Sequence, residues 1–201
     1  LAQRFSCQGW GVTPALKQVE YVRQRATDWG LAPLVRVEQA HIQDVPLPAG
    51  AFDAITFIES ILHIDDKQGL LKRCYRLLKP KGKIYIAESC FRNHQKYQEF
   101  SERPGTRFVR DEVFGWGSMV PLSVIVSTLE DAGFSISAMT DLTSHYPRTI
   151  QAWMRNIEHN RNLMEAMRPG TADKLLHYLE IANIGWGFTT KNYAVVATKK
   201  R

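Results

Sequence analysis

Between Phe52 and Ser89 the chain reads FDAITFIESILHIDDKQGLLKRCYRLLKPKGKIYIAES, and its apolar positions change period three times in one unbroken run. Phe52 to Ile58 is a continuous apolar, β-branched stretch, the pattern of a strand buried on both faces. Asp65 and Asp66 then stand where a helix begins, and carboxylates there suit the positive end of the helix dipole. Leu70, Leu71, Cys74, Leu77 and Leu78 recur at three and four residues and give that helix one apolar face. Pro80 and Gly82 stop it, and Ile84 to Ala87 returns as a strand. A strand, helix and strand of this length predict a right-handed parallel crossover.

The flanking sequence continues the alternation. Phe5 to Thr13 is a candidate strand. Ala15 to Trp29 is a helix with Leu16, Val19, Val22 and Ala26 on one face and Gly30 beyond its end. Leu34 to Glu38 is a short strand, and residues 44–50, with two prolines and a glycine, form a turn. Met119 to Gly133 predicts a helix, Phe134 to Leu142 a strand, and Asn192 to Thr198, with YAVVAT, a last strand. Two stretches break the rhythm. Residues 90–118 are long, charged and rich in aromatics. Residues 144–187 are mostly helical and carry Trp153, Tyr178 and Trp186, whose tryptophans suit an apolar core better than an aromatic cage. Neither is needed to complete a sheet, and such insertions are where an α/β protein carries its ligand pocket.

Composition narrows little. The 201 residues suit one α/β domain with insertions, and the hydrophobic and charged fractions are ordinary for a globular protein. No apolar run reaches the roughly 20 residues that span a bilayer, so stable membrane insertion is not expected. Cys7, Cys74 and Cys90 have no metal-ligand spacing; an odd, unpatterned set reads as reduced thiols in a cytoplasmic protein, with no metal. The net charge of +6 is dispersed, with a basic run only at Lys199, Lys200 and Arg201, which argues against nucleic acid as a partner. Assembly into a homo-oligomer is compatible with all of this.

The order FD, acidic residue, H, D, L, R, LKPxGxxxIxE fixes about a dozen positions, and on them the chain resembles the second half of a class I S-adenosylmethionine-dependent methyltransferase. The stretches DLTSHYPRTIQAWMRNIEHNRNLM and HYLEIANIGWGFTTKNYAVVATK resemble the cyclopropane-fatty-acid-synthase branch of that family. The resemblance implies a doubly wound, mostly parallel sheet with an antiparallel last strand, a helical insertion before it, and S-adenosylmethionine as cofactor. GWGVTPALKQVEYVRQRA resembles the family's second strand and helix, so the family's first strand and its D-x-G-x-G-x-G cofactor loop are expected to precede Leu1 in a longer protein. On its own this stretch should then bind cofactor weakly and be inactive. Alternatively Gly9-Trp10-Gly11 is a diverged cofactor loop, although a lone GxG is weak evidence.

Carried over position by position, the resemblance implies that Thr13, Gln18, His41, Ile42, Ile58, Glu59 and His63 contact the cofactor. His41 stands where the family has an acidic residue. Glu59, His63 and Glu88, at or just beyond the ends of two strands, are the candidates for acid–base chemistry; histidine is the residue type most often used as a general base. His145, Tyr146, Tyr178 and Trp186 are the candidates for lining the acceptor pocket. One departure changes the expected product. Cyclopropane synthases resemble GMFEHVG after this strand and hold a bicarbonate base with that glutamate and a later histidine. Leu62 and Ala87 fall on those two positions here, and an apolar wall leaves a bicarbonate without partners. Methyl transfer to carbon, nitrogen or oxygen of a small molecule is therefore expected, without ring closure. The reading from another class is a non-catalytic, methyltransferase-like protein that binds a partner.

Overall fold

The computed structural model describes residues 1–200. Two compact units are present, Leu1–Pro48 and the chain from Ala49 onward. In the first, a short helix α1 (Ala2–Phe5) precedes β1 (Gly9–Thr13), α2 (Leu16–Asp28) and β2 (Val35–Gln39). The two strands pair in parallel from Gly9 opposite Val35 to Thr13 opposite Gln39, and α2 is the crossover. The expected strand from Phe5 thus starts only at Gly9, because Phe5 ends a helical turn. Val19 and Ala26 are the buried side of α2; Leu16, expected on that side, is half exposed at its first turn.

The second unit begins with β3 (Phe52–Ile58), α3 (Lys67–Leu77) and β4 (Leu78–Phe91). β3 and β4 are parallel neighbours, from Ala54 opposite Lys83 to Ile58 opposite Ala87, so the expected crossover is present. α4 (His94–Phe100), α5 (Pro104–Arg107), α6 (Leu122–Asp131), β5 (Ser135–Asp141), α7 (Tyr146–His159), α8 (Arg161–Met167), α9 (Thr171–Gly185) and β6 (Thr190–Thr198) follow. The sheet order is β3-β4-β6-β5, and β6 runs antiparallel to both neighbours. The last strand is antiparallel as expected. Across both sheets the described pairings are two parallel and two antiparallel, which makes this an α/β architecture with a mixed second sheet.

Burial departs from expectation in β3. Phe57 is buried, but Ala54, Thr56 and Ile58 are exposed, with Ile58 at 66%. β3 is the edge of its sheet, hydrogen-bonded only to β4, and the face that carries Ala54, Thr56 and Ile58 is uncovered among the described residues. An unbroken apolar run does not by itself distinguish a central strand from an edge. β4 also starts six residues before Ile84. Pro80 and Gly82 lie within its span, and the ladder absorbs the extra residues in a register shift between Phe52 and Ala54, with Lys81 at φ 66°. The helix expected from Met119 begins only at Leu122, after Pro121. Trp153, expected in a core, is 44% exposed on α7.

α3 shows how sequence sets an element. Leu70, Leu71, Cys74 and Leu77 are buried on one stripe, facing β4 and α6. Its start is fixed by Asp66, whose carboxylate accepts the Gly69 amide at 2.8 Å. Replacing Asp66 by alanine should lower unfolding stability by about 1 kcal/mol, read as a shift in the urea midpoint at unchanged slope. An unchanged midpoint would remove the cap from the account of this helix.

Candidate functional site

β3 ends at Ile58 opposite Ala87, and the two acidic candidates are the next residue after each; β4 runs on to Phe91, so Glu88, expected at a strand end, lies within the strand. Glu59 follows the last residue of β3, and its amide donates to the Ala87 carbonyl at 2.8 Å. Its φ is 49°, in the left-handed region that non-glycine residues enter at a cost of about 1–2 kcal/mol. Strain of this kind persists where surrounding bonds impose it, and here they do. One carboxylate oxygen accepts the Tyr146 hydroxyl at 2.5 Å and the side-chain amide of Asn192. The other accepts the Ser89 hydroxyl at 2.9 Å. Three neutral donors from β4, α7 and β6 therefore hold one carboxylate at the strand ends, where ligands of open α/β sheets bind.

Glu88 is a different kind of carboxylate. It is 2% exposed, and its two oxygens accept the backbone amides of Leu62 at 3.2 Å and Ser89 at 3.1 Å. Burial, reinforced by the charge of Glu59, pushes its pKa up to about 8. Nearby Lys67, also buried, donates to the Ile64 carbonyl at 2.9 Å, and burial lowers its pKa against the pull of Asp65 and Glu88. The pair Glu59 and Glu88 thus offers one carboxylate held by hydroxyl and amide donors and one kept largely protonated near neutrality.

The aromatic candidates gather on the same side. Tyr146 opens α7, and Trp186 follows α9 and stacks on it with centroids 4.4 Å apart and planes 20° apart. Burial and the Glu59 charge hold the Tyr146 phenol well above its ordinary pKa, so it remains a donor. Tyr178 on α9 is raised by burial and also senses Glu59. Its ring meets Phe114 edge-on at 5.2 Å, and Phe114 lies 5.9 Å from the His63 ring. His63 is exposed in the turn Ile61–His63. Its Nδ1 lies 2.9 Å from the Trp116 carbonyl. A carbonyl can only accept, so Nδ1 carries the proton, and in the neutral tautomer this leaves the lone pair on Nε2. On the far side of Tyr178 an apolar cavity of 370 Å³ opens among α7, α8 and α9, with Trp153, Ile157, Met164 and Leu179 in its wall.

The remaining candidates are placed separately. His145 is exposed in the turn before α7 and bonds to none of the residues around Glu59. In the first unit, the Thr13 hydroxyl at the end of β1 donates to Gln18 on α2 at 2.6 Å, so these two act as a pair. His41, exposed, follows β2, and its carbonyl accepts the Asp44 and Val45 amides; Ile42 is half buried. Leu62 and Ala87 take part through their backbones. Leu62 donates to Glu88 and accepts the Ser118 amide at 2.7 Å, while Ala87 receives Glu59. Ser89 and Asn192 were not among the sequence candidates. The signal available was a polar residue beside or within an apolar strand: Ser89 after IYIAE, and Asn192 ahead of YAVVAT.

Residues 1–196 match the model of the family described as mycolic acid cyclopropane synthetase. The chain belongs to this family. Among curated proteins it is 26% identical over 178 residues to sphingolipid C9-methyltransferase 2 of Gibberella zeae, covering 79% of this chain and 34% of that protein. It is 27% identical over 162 residues to phosphoethanolamine N-methyltransferase 1 of Arabidopsis thaliana, covering 80% and 31%. The chain therefore spans about a third of the length of these curated relatives. Among solved structures, the cyclopropane synthase MmaA2 of Mycobacterium tuberculosis superposes with a TM-score of 0.87 at 18% identity, over 98% of this chain and 72% of that one. A geranyl diphosphate methyltransferase solved with S-adenosylmethionine gives 0.71 at 18% identity, over 98% and 71%. At these identities the superpositions establish the methyltransferase fold. Among the described residues no helix is long and apolar enough to cross a membrane.

Proposed function

We propose that the protein transfers a methyl group from S-adenosylmethionine to a small-molecule acceptor, with Glu59 as the carboxylate that faces the reacting end of that acceptor. The observation that carries this is Glu59 itself, a strained, left-handed residue at a strand end, fixed by Ser89, Tyr146 and Asn192. The family assignment and the methyltransferase relatives supply the cofactor. Within the first unit Thr13 and Gln18 form a polar pair and His41 is exposed, at or just beyond the ends of parallel strands, and within the second Ile58 offers a large uncovered apolar side chain at the end of β3; each is compatible with a cofactor contact. When bound, the sulfonium supplies an already activated methyl donor, so the protein has mainly to align the acceptor and manage one proton.

The chain's residues divide that work. Glu59 accepts a proton from an amine or phenol, or faces the positive charge that develops on an alkene. His63 offers a second base through Nε2. Tyr146, Trp186 and Tyr178 shape the acceptor side and exclude water, and the apolar cavity behind Tyr178 extends that side. Leu62 and Ala87 bring no side-chain donor or acceptor, so no external anion is built into the site and the product is methylated without ring closure.

Titration calorimetry of the full-length protein should show one S-adenosylmethionine site without added metal. Incubation with phosphoethanolamine, a sphingolipid and geranyl diphosphate as trial acceptors should transfer a methyl group to one of them. Proton spectra then separate the products, since cyclopropane methylene signals lie at unusually high field. No cofactor binding would overturn the proposal, and a cyclopropane product would overturn the argument from Leu62.

A further inference from the structure

We propose that Asn192 is a positioning residue for Glu59, locked in register with Tyr146 by a closed ring of contacts through Thr143 and Trp186. This rests on the reading of Glu59 as the carboxylate at the acceptor. The ring can be followed atom by atom. The Asn192 amide donates to a Glu59 oxygen, and the Asn192 backbone N–H donates to the Thr143 hydroxyl at 3.2 Å. The Thr143 carbonyl accepts the Trp186 indole N–H at 2.8 Å. Trp186 stacks on Tyr146, and the Tyr146 hydroxyl returns to the same Glu59 oxygen. Asn192 is 1% exposed, and its carbonyl is tied to the Leu142 amide at 2.8 Å, so the donor has little freedom of its own.

The chemistry of the donors gives the ring a purpose. A glutamate side chain loses on the order of 1–2 kcal/mol of rotamer freedom when fixed, and three hydrogen bonds offset that. A lysine or arginine could fix it equally well but would lower its basicity by about tenfold to a thousandfold. Neutral amide and hydroxyl donors also stabilise the ionised form, but they orient the carboxylate without placing a formal countercharge against it. The ring also makes the two donors on one oxygen interdependent: Tyr146 stands at the start of α7 and Asn192 in the sheet, and Thr143 and Trp186 set the distance between them. The ionisable groups around Glu59 are Glu88 and Cys90 on β4, Tyr146 on α7 and Tyr178 on α9.

Asn192→Asp is the decisive variant, because it keeps the shape, removes the donor and places a second carboxylate against Glu59. Two carboxylates at that distance cannot both ionise readily, so the acid limb of the turnover–pH profile should move up by about one pH unit or more. The KM for S-adenosylmethionine should stay within about threefold. The same displacement should be visible without any acceptor, in the carbon-13 titration of protein labelled at glutamate carboxyls, with the Glu59 signal identified by its loss in Glu59→Gln. If Asn192→Asp gives no cooperative melt, Thr143→Val breaks the ring while keeping the carbonyl that receives Trp186. It should then lower turnover about threefold or more at unchanged cofactor KM. A Glu59→Gln protein with full turnover would sink the reading of Glu59 itself. An inactive Glu59→Gln beside an unmoved acid limb and an unmoved Glu59 signal in Asn192→Asp, or beside normal turnover in Thr143→Val, would overturn the role of Asn192 alone.

Discussion

Changing Glu59 to glutamine should lower turnover by about 10²- to 10⁴-fold, the usual contribution of a positioned acid–base group. The variant is nearly isosteric. The amide oxygen can still accept Tyr146 and Asn192, and the Ser89 hydroxyl can rotate to accept from the new amide instead of donating. What disappears is the charge and the ability to take a proton. Binding of S-adenosylmethionine, followed by calorimetry, should weaken by less than about threefold, since an interaction made only in the transition state is lost from turnover and not from ground-state affinity. His63→Ala should show the same asymmetry with a smaller fall, because His63 is exposed and held by a single side-chain hydrogen bond, to the Trp116 carbonyl. A Glu59→Gln protein that loses cofactor affinity and turnover in equal measure would recast Glu59 as a binding residue.

Glu88 predicts a large effect on stability. Its folded pKa, near 8, lies above the value of about 4.3 for an unfolded glutamate. The folded state therefore holds more protons between those two values, and stability falls as pH rises through that window. The contribution is fully present below the unfolded value and gone above about pH 8. Each tenfold difference in proton affinity between the two states is worth about 1.4 kcal/mol, so the loss is on the order of a few kcal/mol. Thermal melts should show a falling midpoint between about pH 5 and 9. Glu88→Gln lacks this component: it should melt below the wild type at the acid end, where one backbone amide loses its acceptor, and above it at the alkaline end. Lys67, whose pKa is lowered by burial against the pull of Glu88, adds its own dependence in the alkaline range, so the difference between the two proteins reports Glu88 together with its effect on Lys67. Parallel melting curves across the window would remove the buried acid from the account.

Much of the scaffold could be read along the chain because local period and local structure agree. The β3–α3–β4 crossover and the antiparallel β6 follow from runs, caps and the family motif, and each element is present with its expected direction. What escaped depends on partners distant in sequence. The exposure of Ala54, Thr56 and Ile58 depends on what packs against that face of β3, which apolar content does not encode. The early start of β4 was hidden behind Pro80 and Gly82, which as local signals say turn; only pairing with β3 and β6 draws that segment into the ladder. Trp153 reads as core from its composition, yet α7 presents it to the mouth of a cavity. The carboxylates were legible because an acidic residue after or within an apolar strand is conspicuous. Their donors were not: Asn192 lies 133 residues from Glu59, and only the sheet order brings them together.

The position of β6 has a consequence for how the molecule is made. It is the sixth strand in chain order, yet it occupies an interior place in the sheet, between β4 and β5. On a translating ribosome the chain emerges at about 5–20 residues per second, so β4 and β5 wait for seconds with no strand between them. Their unpaired backbone groups are exposed during that interval, and closing the gap requires β4 and β6 residues about a hundred positions apart to find register, which is slow. Asn192 arrives with that same strand. Until it docks, Glu59 lacks one of its three donors, so the carboxylate after β3 gains its full set of hydrogen bonds only once β6 is in place.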